Sequence, residues 1–242
     1  MITNLSDGAR FDMISENLKV IRNNIAEAAI SAGRSPEDVR LMAVTKTVDV
    51  KFINYAIDNC GIDLIGENKV QEFLSKKDEL SVLCKEKHLI GHLQTNKVKK
   101  ILPEVDMIQS VDSLHLATAI SSEAQKLGRV ANILLEVNIG GEESKTGFDK
   151  LAFLESLDAI SQLPSLKVKG LMTIPPICDN DLELENYFSK MYDYFNEIKE
   201  KAFSSFDLEI LSMGMSGDYV QAIKHGSNLV RIGSAIFGAR IY

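Results

Sequence analysis

The sequence predicts a (β/α)8 barrel. Three observations carry this expectation. Eight short apolar runs have the length of strands, and a helix or a helical start follows each one. The runs are apolar on both faces, as parallel strands sheathed by helices must be. The chain has 242 residues, close to the ~250 of such barrels. A doubly wound open sheet shares the alternation and is the runner-up. No stretch rich in Pro, Gly or Ser divides the chain, and no short repeat occurs. The expectation is one domain over residues 1–242, with residues 1–35 a helical extension packed on the barrel.

The extension reads as a helix from Phe11 to Gly33. Ile14, Leu18, Ile21, Ile25 and Ala29 recur at three- and four-residue steps, and Gly33 is a stop. The first strand is Val39–Thr45, followed by a helical stretch over Val50–Cys60. Next come Leu64–Gly66 with Lys69–Leu80, His88–Gly91 with Asn96–Leu102, and Val105–Ser110 with Ser113–Leu127. Ile133–Val137 precedes Lys150–Leu163, and Val168–Met172 precedes Asp181–Phe203. Leu208–Ser212 leads to Asp218–His225, and Leu229–Gly233 leads to a helical start at Ser234.

Charge narrows the function. With 27 Lys+Arg against 34 Asp+Glu the net charge is −7, which argues against a surface that coats nucleic acid. A local cationic pocket for a small anion stays compatible with it. Cys60, Cys84 and Cys178 are far apart and odd in number, so neither a disulfide framework nor a zinc ribbon is expected, and no metal site. A reducing, cytoplasmic setting fits. The N-terminus lacks the apolar core of a secretory signal, and no apolar run approaches the ~20 residues of a membrane span.

Barrel enzymes carry their reactive groups at the C-terminal ends of strands. Met42, Val44 and Lys46 share one strand face by the two-residue period. If Val44 points inward, Lys46 stands at the mouth, where a partly desolvated amine can form a Schiff base. The alternative is a lysine that snorkels to water. Gly214-Met215-Ser216-Gly217 opens one helix and Gly233-Ser234 opens another. Glycines let backbone approach an anion, and helix-start N–H groups face it. Ser216 and Ser234 add hydroxyls, or act as helix caps. Arg231 lies two residues before Gly233 on the same strand face, where it must meet a ligand or a core carboxylate. An amine, an anion cradle and a guanidinium together suit a phosphorylated carbonyl compound.

The stretches MAVTK (42–46), GENKVQE (66–72), HLIGHLQTNK (88–97), LLEVNIGGEESKTGF (134–148), GLMTIPP (170–176) and SMGMSGDYVQAIKHGSNLVRIGSAIFGAR (212–240) resemble the pyridoxal phosphate homeostasis protein family, also called proline synthetase co-transcribed proteins. The resemblance spans nearly the whole chain and implies a barrel like the N-terminal domain of alanine racemase. It implies pyridoxal 5′-phosphate (PLP) as an aldimine on Lys46. It further implies phosphate contacts from Ser216 and the Gly233-Ser234 backbone, and Arg231 at the pyridine nitrogen. Asn68, Met213 and His92 match motif positions near the cofactor. The implied role is PLP homeostasis and amino-acid balance without robust catalysis, with apo PLP-dependent enzymes as partners. Alanine racemase has a second domain that supplies a tyrosine base across a dimer. Here the chain reaches Tyr242 just after the eighth strand, so a monomer is expected. The alternative function is a PLP-dependent amino-acid racemase, with Lys46 as one base and no second one identified. A barrel aldolase acting on a sugar phosphate through Lys46 is a third reading.

Other signals carry less. Gly140 to Thr146 lacks the Gly before Lys-Ser/Thr that a P-loop needs, and Glu142 and Glu143 would repel phosphate. Lys145 in that loop is in reach of a ligand or solvated. His88 and His92 flank a strand and lack a third metal ligand, so they read as polar strand-end residues. His115 and His225 are expected on exposed helix faces, and Lys97, Lys99 and Lys100 on a solvated helix end. Tyr187, Phe188, Met191, Tyr192, Tyr194 and Phe195 crowd one helix and are expected mostly in the core.

Overall fold

A computed structural model describes residues 6–142, 146–178 and 180–238. Eight parallel strands close into a barrel in sequence order. They are β1 (Arg40–Val44), β2 (Leu64–Glu67), β3 (Glu86–Leu89), β4 (Met107–Val111), β5 (Ala131–Glu136), β6 (Leu166–Met172), β7 (Phe206–Ser212) and β8 (Leu229–Ile232). β8 returns to pair with β1, placing Met42 opposite Arg231. This closure excludes the open sheet. Helix α1 (Asp7–Ser31) precedes the barrel. Then come α2 (Val50–Cys60), α3 (Val70–Lys76), α4 (Val98–Ile101), α5 (Leu114–Lys126), α6 (Lys150–Ser161), α7 (Asp181–Glu200), α8 (Tyr219–Lys224) and α9 (Ser234–Phe237).

Alternation along the strands sorts side chains into an inner and an outer set. Met42, Val44, Leu64, Ile90 and Leu229 form one buried cluster inside the barrel. Met107, Leu134 and Met172 form another. The intervening residues, such as Ala43, Ile65, Val230 and Ile232, face the helices. Between the two inner clusters lie buried polar groups: His88, Gln109, Ser212 and Arg231. Gly170 is required where β6 meets β7. Its φ is +156°, and a Cβ there would lie 1.7 Å from the Ile210 carbonyl oxygen.

Helix α1 buries Ile14, Leu18, Ile21, Ile25 and Ala29 as the spacing predicts and packs on α2, α8 and α9. It begins four residues before Phe11, because the Ser6 hydroxyl caps it by accepting from the Ala9 N–H at 3.3 Å. Two expected helices are shorter. Residues 69–80 split into α3 and a 3₁₀ turn, Lys77–Glu79, and residues 96–102 into the 3₁₀ turn Thr95–Lys97 and α4. Helix α7 ends at Glu200, before Phe203.

Two expectations need correction. His88 is not a strand-end group. β3 starts at Glu86, whose charge hid it from an apolar-run search, so His88 lies mid-strand and is 1% exposed. In the aromatic cluster, Phe188, Met191 and Phe195 are buried, but Tyr192 is exposed and Tyr187 and Tyr194 half-buried. Only one helical stripe of α7 can face the barrel. Cys60, Cys84 and Cys178 are free thiols. Among the described residues no helix is long and apolar enough to cross a membrane.

Candidate functional site

Lys46 follows directly on β1, in a tight turn closed by the Val48 N–H donating to the Thr45 carbonyl at 3.1 Å. Thr47 in that turn has a left-handed φ of +62°. The turn is braced from below by ions. The Lys76 ammonium donates to the Thr45 carbonyl at 3.0 Å, to Glu67 Oε2 at 3.2 Å and to Glu72 Oε1 at 2.5 Å. Glu72 also accepts the Thr47 N–H. Burial pushes the Glu67 carboxyl above the usual carboxylate range, and Lys76 only partly opposes this. Burial pushes Glu72 up as well, but the bonds from Lys76 and Thr47 outweigh it and leave its pKa low.

Across the mouth, the Ser216 hydroxyl accepts the backbone N–H of Gly233 at 3.3 Å and of Ala235 at 3.2 Å. Ser216 therefore caps the neighbouring helix α9 rather than its own α8, whose N-cap is Asp218. Ser234 stands in the first turn of α9 and is exposed.

Arg231 is 3% exposed. It donates through NH1 to Ser212 Oγ at 2.7 Å and through NH2 to the Thr173 carbonyl at 2.8 Å. Burial lowers its pKa to about 10, against the opposing pull of Asp218 and Glu136. It stays a cation at neutral pH.

These elements converge on a cavity of about 500 Å³ at the barrel mouth, within the size range of small-molecule sites. Its wall includes Lys46, Asn68, Ser216, Arg231, Gly233 and Ser234. Among the described residues Lys46, Arg10 and Arg231 face it against Asp49 as the one carboxylate, so a chain of net charge −7 carries a locally cationic pocket. Two buried polar atoms of this wall, Asn68 Oδ1 and Arg10 Nε, have no hydrogen-bond partner among the described residues. Buried polar atoms left this way are costly unless a ligand or water meets them.

Not every sequence candidate lies here. The Met213 side chain is fully buried in the outer core and not on the cavity wall. Ser212 takes the inward position, so its neighbour turns outward. His92 is exposed beside the mouth, with Nδ1 3.0 Å from Asp112 Oδ2. Lys145 lies outside the described residues. Sequence reasoning missed Arg10, Ile174 and Phe237 on the wall. Arg10 belongs to a polar segment without a periodic signal. It also missed Glu136, 4% exposed, with Oε1 accepting from Thr146 at 2.6 Å and Oε2 buried without a partner among the described residues. Burial pushes this carboxyl up. A charge at the inner end of an apolar strand was the available clue.

The model for the alanine racemase N-terminal domain matches residues 17–241. A pyridoxal phosphate homeostasis protein of Aquifex aeolicus is 41% identical over 227 residues, covering 94% of this chain and 98% of the relative. The chain belongs to the pyridoxal phosphate homeostasis protein family. The Escherichia coli K12 member of that family is 38% identical over 232 residues, covering 95% of this chain and 97% of its own. The solved structure of PipY from Synechococcus elongatus PCC7942, with PLP bound, superposes with a TM-score of 0.78 at 33% identity. It covers 88% of this chain and 100% of PipY. Alanine racemase of Clostridium difficile 630 shares the fold alone, at 16% identity and a TM-score of 0.73, over 94% of this chain and 57% of the racemase. The pyridoxal phosphate homeostasis family thus uses a racemase-type barrel.

Proposed function

We propose that this protein holds PLP in the barrel-mouth cavity, linked to Lys46, and serves cytoplasmic PLP homeostasis and amino-acid balance without robust catalysis. The observation that carries the reading is the convergence of Lys46, the Ser216–Gly233 cradle and the buried Arg231 guanidinium on one cavity. The residues fit the group. The Ser216 hydroxyl oxygen accepts two backbone N–H groups and keeps its own proton to donate to a phosphate oxygen. At Gly217 nothing within 4 Å would meet even a Cβ, so an anion has room. The unsatisfied Asn68 Oδ1 and Arg10 Nε supply an acceptor and a donor on the same wall.

Lys46 would hold the cofactor through Nζ. Bound there, the cofactor's aldehyde carbon would be joined to Nζ by C=N in place of C=O, with one water released. Bound PLP supplies an electron sink whose strength depends on protonation of the ring nitrogen. Arg231, a cation with a pKa of about 10, opposes that protonation by like-charge repulsion. A weak sink favours storage and release over turnover, with apo PLP-dependent enzymes as acceptors and a monomer as donor.

The test is a visible spectrum of the untreated protein, then borohydride reduction and peptide mass analysis. A yellow protein with a reduced PLP adduct on the Lys46 peptide, and a colourless Lys46→Ala variant, is the expected result. Colour retained in Lys46→Ala overturns the attachment. If apo enzymes gain no cofactor from the loaded protein, delivery fails and binding stands.

A further inference from the structure

A file of polar side chains threads the otherwise apolar barrel. Arg231 NH1 donates to Ser212 Oγ at 2.7 Å, and Ser212 Oγ donates to Gln109 Oε1 at 2.7 Å. Gln109 Nε2 lies 2.9 Å from His88 Nδ1, and His88 Nε2 lies 3.2 Å from Glu86 Oε2. Glu86 Oε1 accepts from Arg40 NH2 at 2.7 Å. Arg231, Ser212, Gln109 and His88 are all buried. Arg40 and Glu86 begin β1 and β3, at the end opposite the cavity, with side chains 40% and 36% exposed.

The proton positions follow from what each group can do. Gln109 gives its oxygen to the Ser212 hydroxyl, so its NH₂ faces His88. An amide nitrogen only donates, so His88 Nδ1 carries a lone pair. The ring proton is on Nε2 and points at the Glu86 carboxylate. Reversing the amide would aim two donors at Ser212 and turn a lone pair of neutral His88 toward the Glu86 anion. Every link from Arg231 to Glu86 then donates in one direction, and links so aligned polarise one another. The carboxylate at the far rim strengthens Ser212 as the acceptor for the guanidinium.

We propose that His88 and Gln109 are positioning residues, which transmit the Glu86 carboxylate through the barrel axis and fix the Arg231 guanidinium at the cavity. The proposal rests on Arg231 facing the ring of bound PLP. Apolar side chains would fill the same space without any need for matched partners, whereas this file satisfies each member in turn.

The experiment compares the PLP-loaded protein with Glu86→Gln, His88→Met and His88→Gln. Glu86→Gln and His88→Met are expected to keep one reducible PLP per chain. Their visible absorption maximum shifts, and the PLP dissociation constant rises roughly threefold to tenfold, the scale of one weakened buried hydrogen bond. In His88→Gln the new amide accepts from Gln109 and donates to Glu86, so both values return toward the original. Should His88→Met not fold, Glu86→Gln at the half-exposed rim carries the test alone. An unshifted spectrum and unchanged affinity in Glu86→Gln overturn the proposal. Nitrogen-15 NMR of the PLP-free protein reads the file independently: a ring proton on Nε2 and none on Nδ1 is expected, and a proton on Nδ1 overturns it. If the unaltered protein binds no PLP, the cofactor reading and the positioning role both fall, and the tautomer still reports on the file itself.

Discussion

Ser216 caps a helix that is not its own: its hydroxyl, carried by the loop between β7 and α8, accepts the N–H of Gly233 at the head of α9. The same oxygen takes the Ala235 N–H. One side chain thus holds two strand-end loops in register.

Ser216→Ala should therefore weaken PLP binding more than it weakens the fold. The freed N–H groups are part-buried and can turn to water, so stability falls by no more than ~1 kcal/mol. The phosphate loses a donor and its cradle loses its brace, so the PLP dissociation constant should rise about tenfold. Absorbance titration beside urea denaturation separates the two effects. An unchanged affinity would remove Ser216 from the phosphate site.

The ion cluster under the Lys46 turn has a measurable pH signature. Lys76 is the cation against Glu67, whose side chain is 1% exposed. Lys76→Met leaves that carboxylate buried without a cation, held only by the Thr45 hydroxyl at 3.1 Å and the Asn68 N–H at 2.7 Å among the described residues, with an expected loss of ~3 kcal/mol at pH 7. Burial already raises the Glu67 pKa, and losing Lys76 raises it further. The folded state then binds a proton more readily than the unfolded chain, so the variant should regain stability as pH drops from 7 toward the ordinary carboxylate range. Equal losses at pH 7 and pH 5.5 would contradict this account. A second change, Glu67→Gln, should recover part of the loss.

The barrel and much of the mouth were legible in the sequence because their signals are local. The apolar runs fixed strand count, and the two-residue period placed Val44 and Lys46 on one inner face. The glycines beside Ser216 and Ser234 marked the cradle. Signals that depend on closure were not legible. Arg10 is 221 residues from Arg231 in sequence, and only the packing of α1 on α9 brings it to the cavity. Gln109 and Ser212 lie on separate runs, and only barrel closure brings β4 and β7 close enough for their 2.7 Å bond. Met213 sits one residue after the inward Ser212, and the strand period turns its side chain away from the cavity.

Gly91 ties the floor of the mouth to its backbone. A Cβ there would lie 2.3 Å from the Asn68 carbonyl oxygen and 2.9 Å from its Cα. Backbone cannot swing aside as a flexible side chain can, so Gly91→Ala must displace Asn68. We expect a loss of ~1–3 kcal/mol, the usual cost of overpacking, together with weaker PLP binding. Gly217→Ala is the contrast, since its Cβ meets nothing within 4 Å. That variant should keep its melting temperature while losing affinity, because Gly217 lines the cavity. Identical behaviour of the two variants would refute the steric argument.

The far rim of the barrel should contribute to the acid limb of stability. The Glu86 carboxyl is lowered to about 2, first by its bond from His88 and then by its bonds and charge pairing with Arg40, against the opposing effect of burial. A depressed carboxyl stabilises the fold above its unfolded pKa, near 4.5. That contribution is lost as pH falls through about 2. Its side chain is 36% exposed, so solvent and salt screen the pair and the contribution is modest. Glu86→Gln should flatten the fall of the urea midpoint between pH 4.5 and pH 2, and added salt should flatten it in the unaltered protein as well. A Glu86→Gln variant with an unaltered acid limb would mean that other carboxylates set it and that the His88–Glu86 bond is weak.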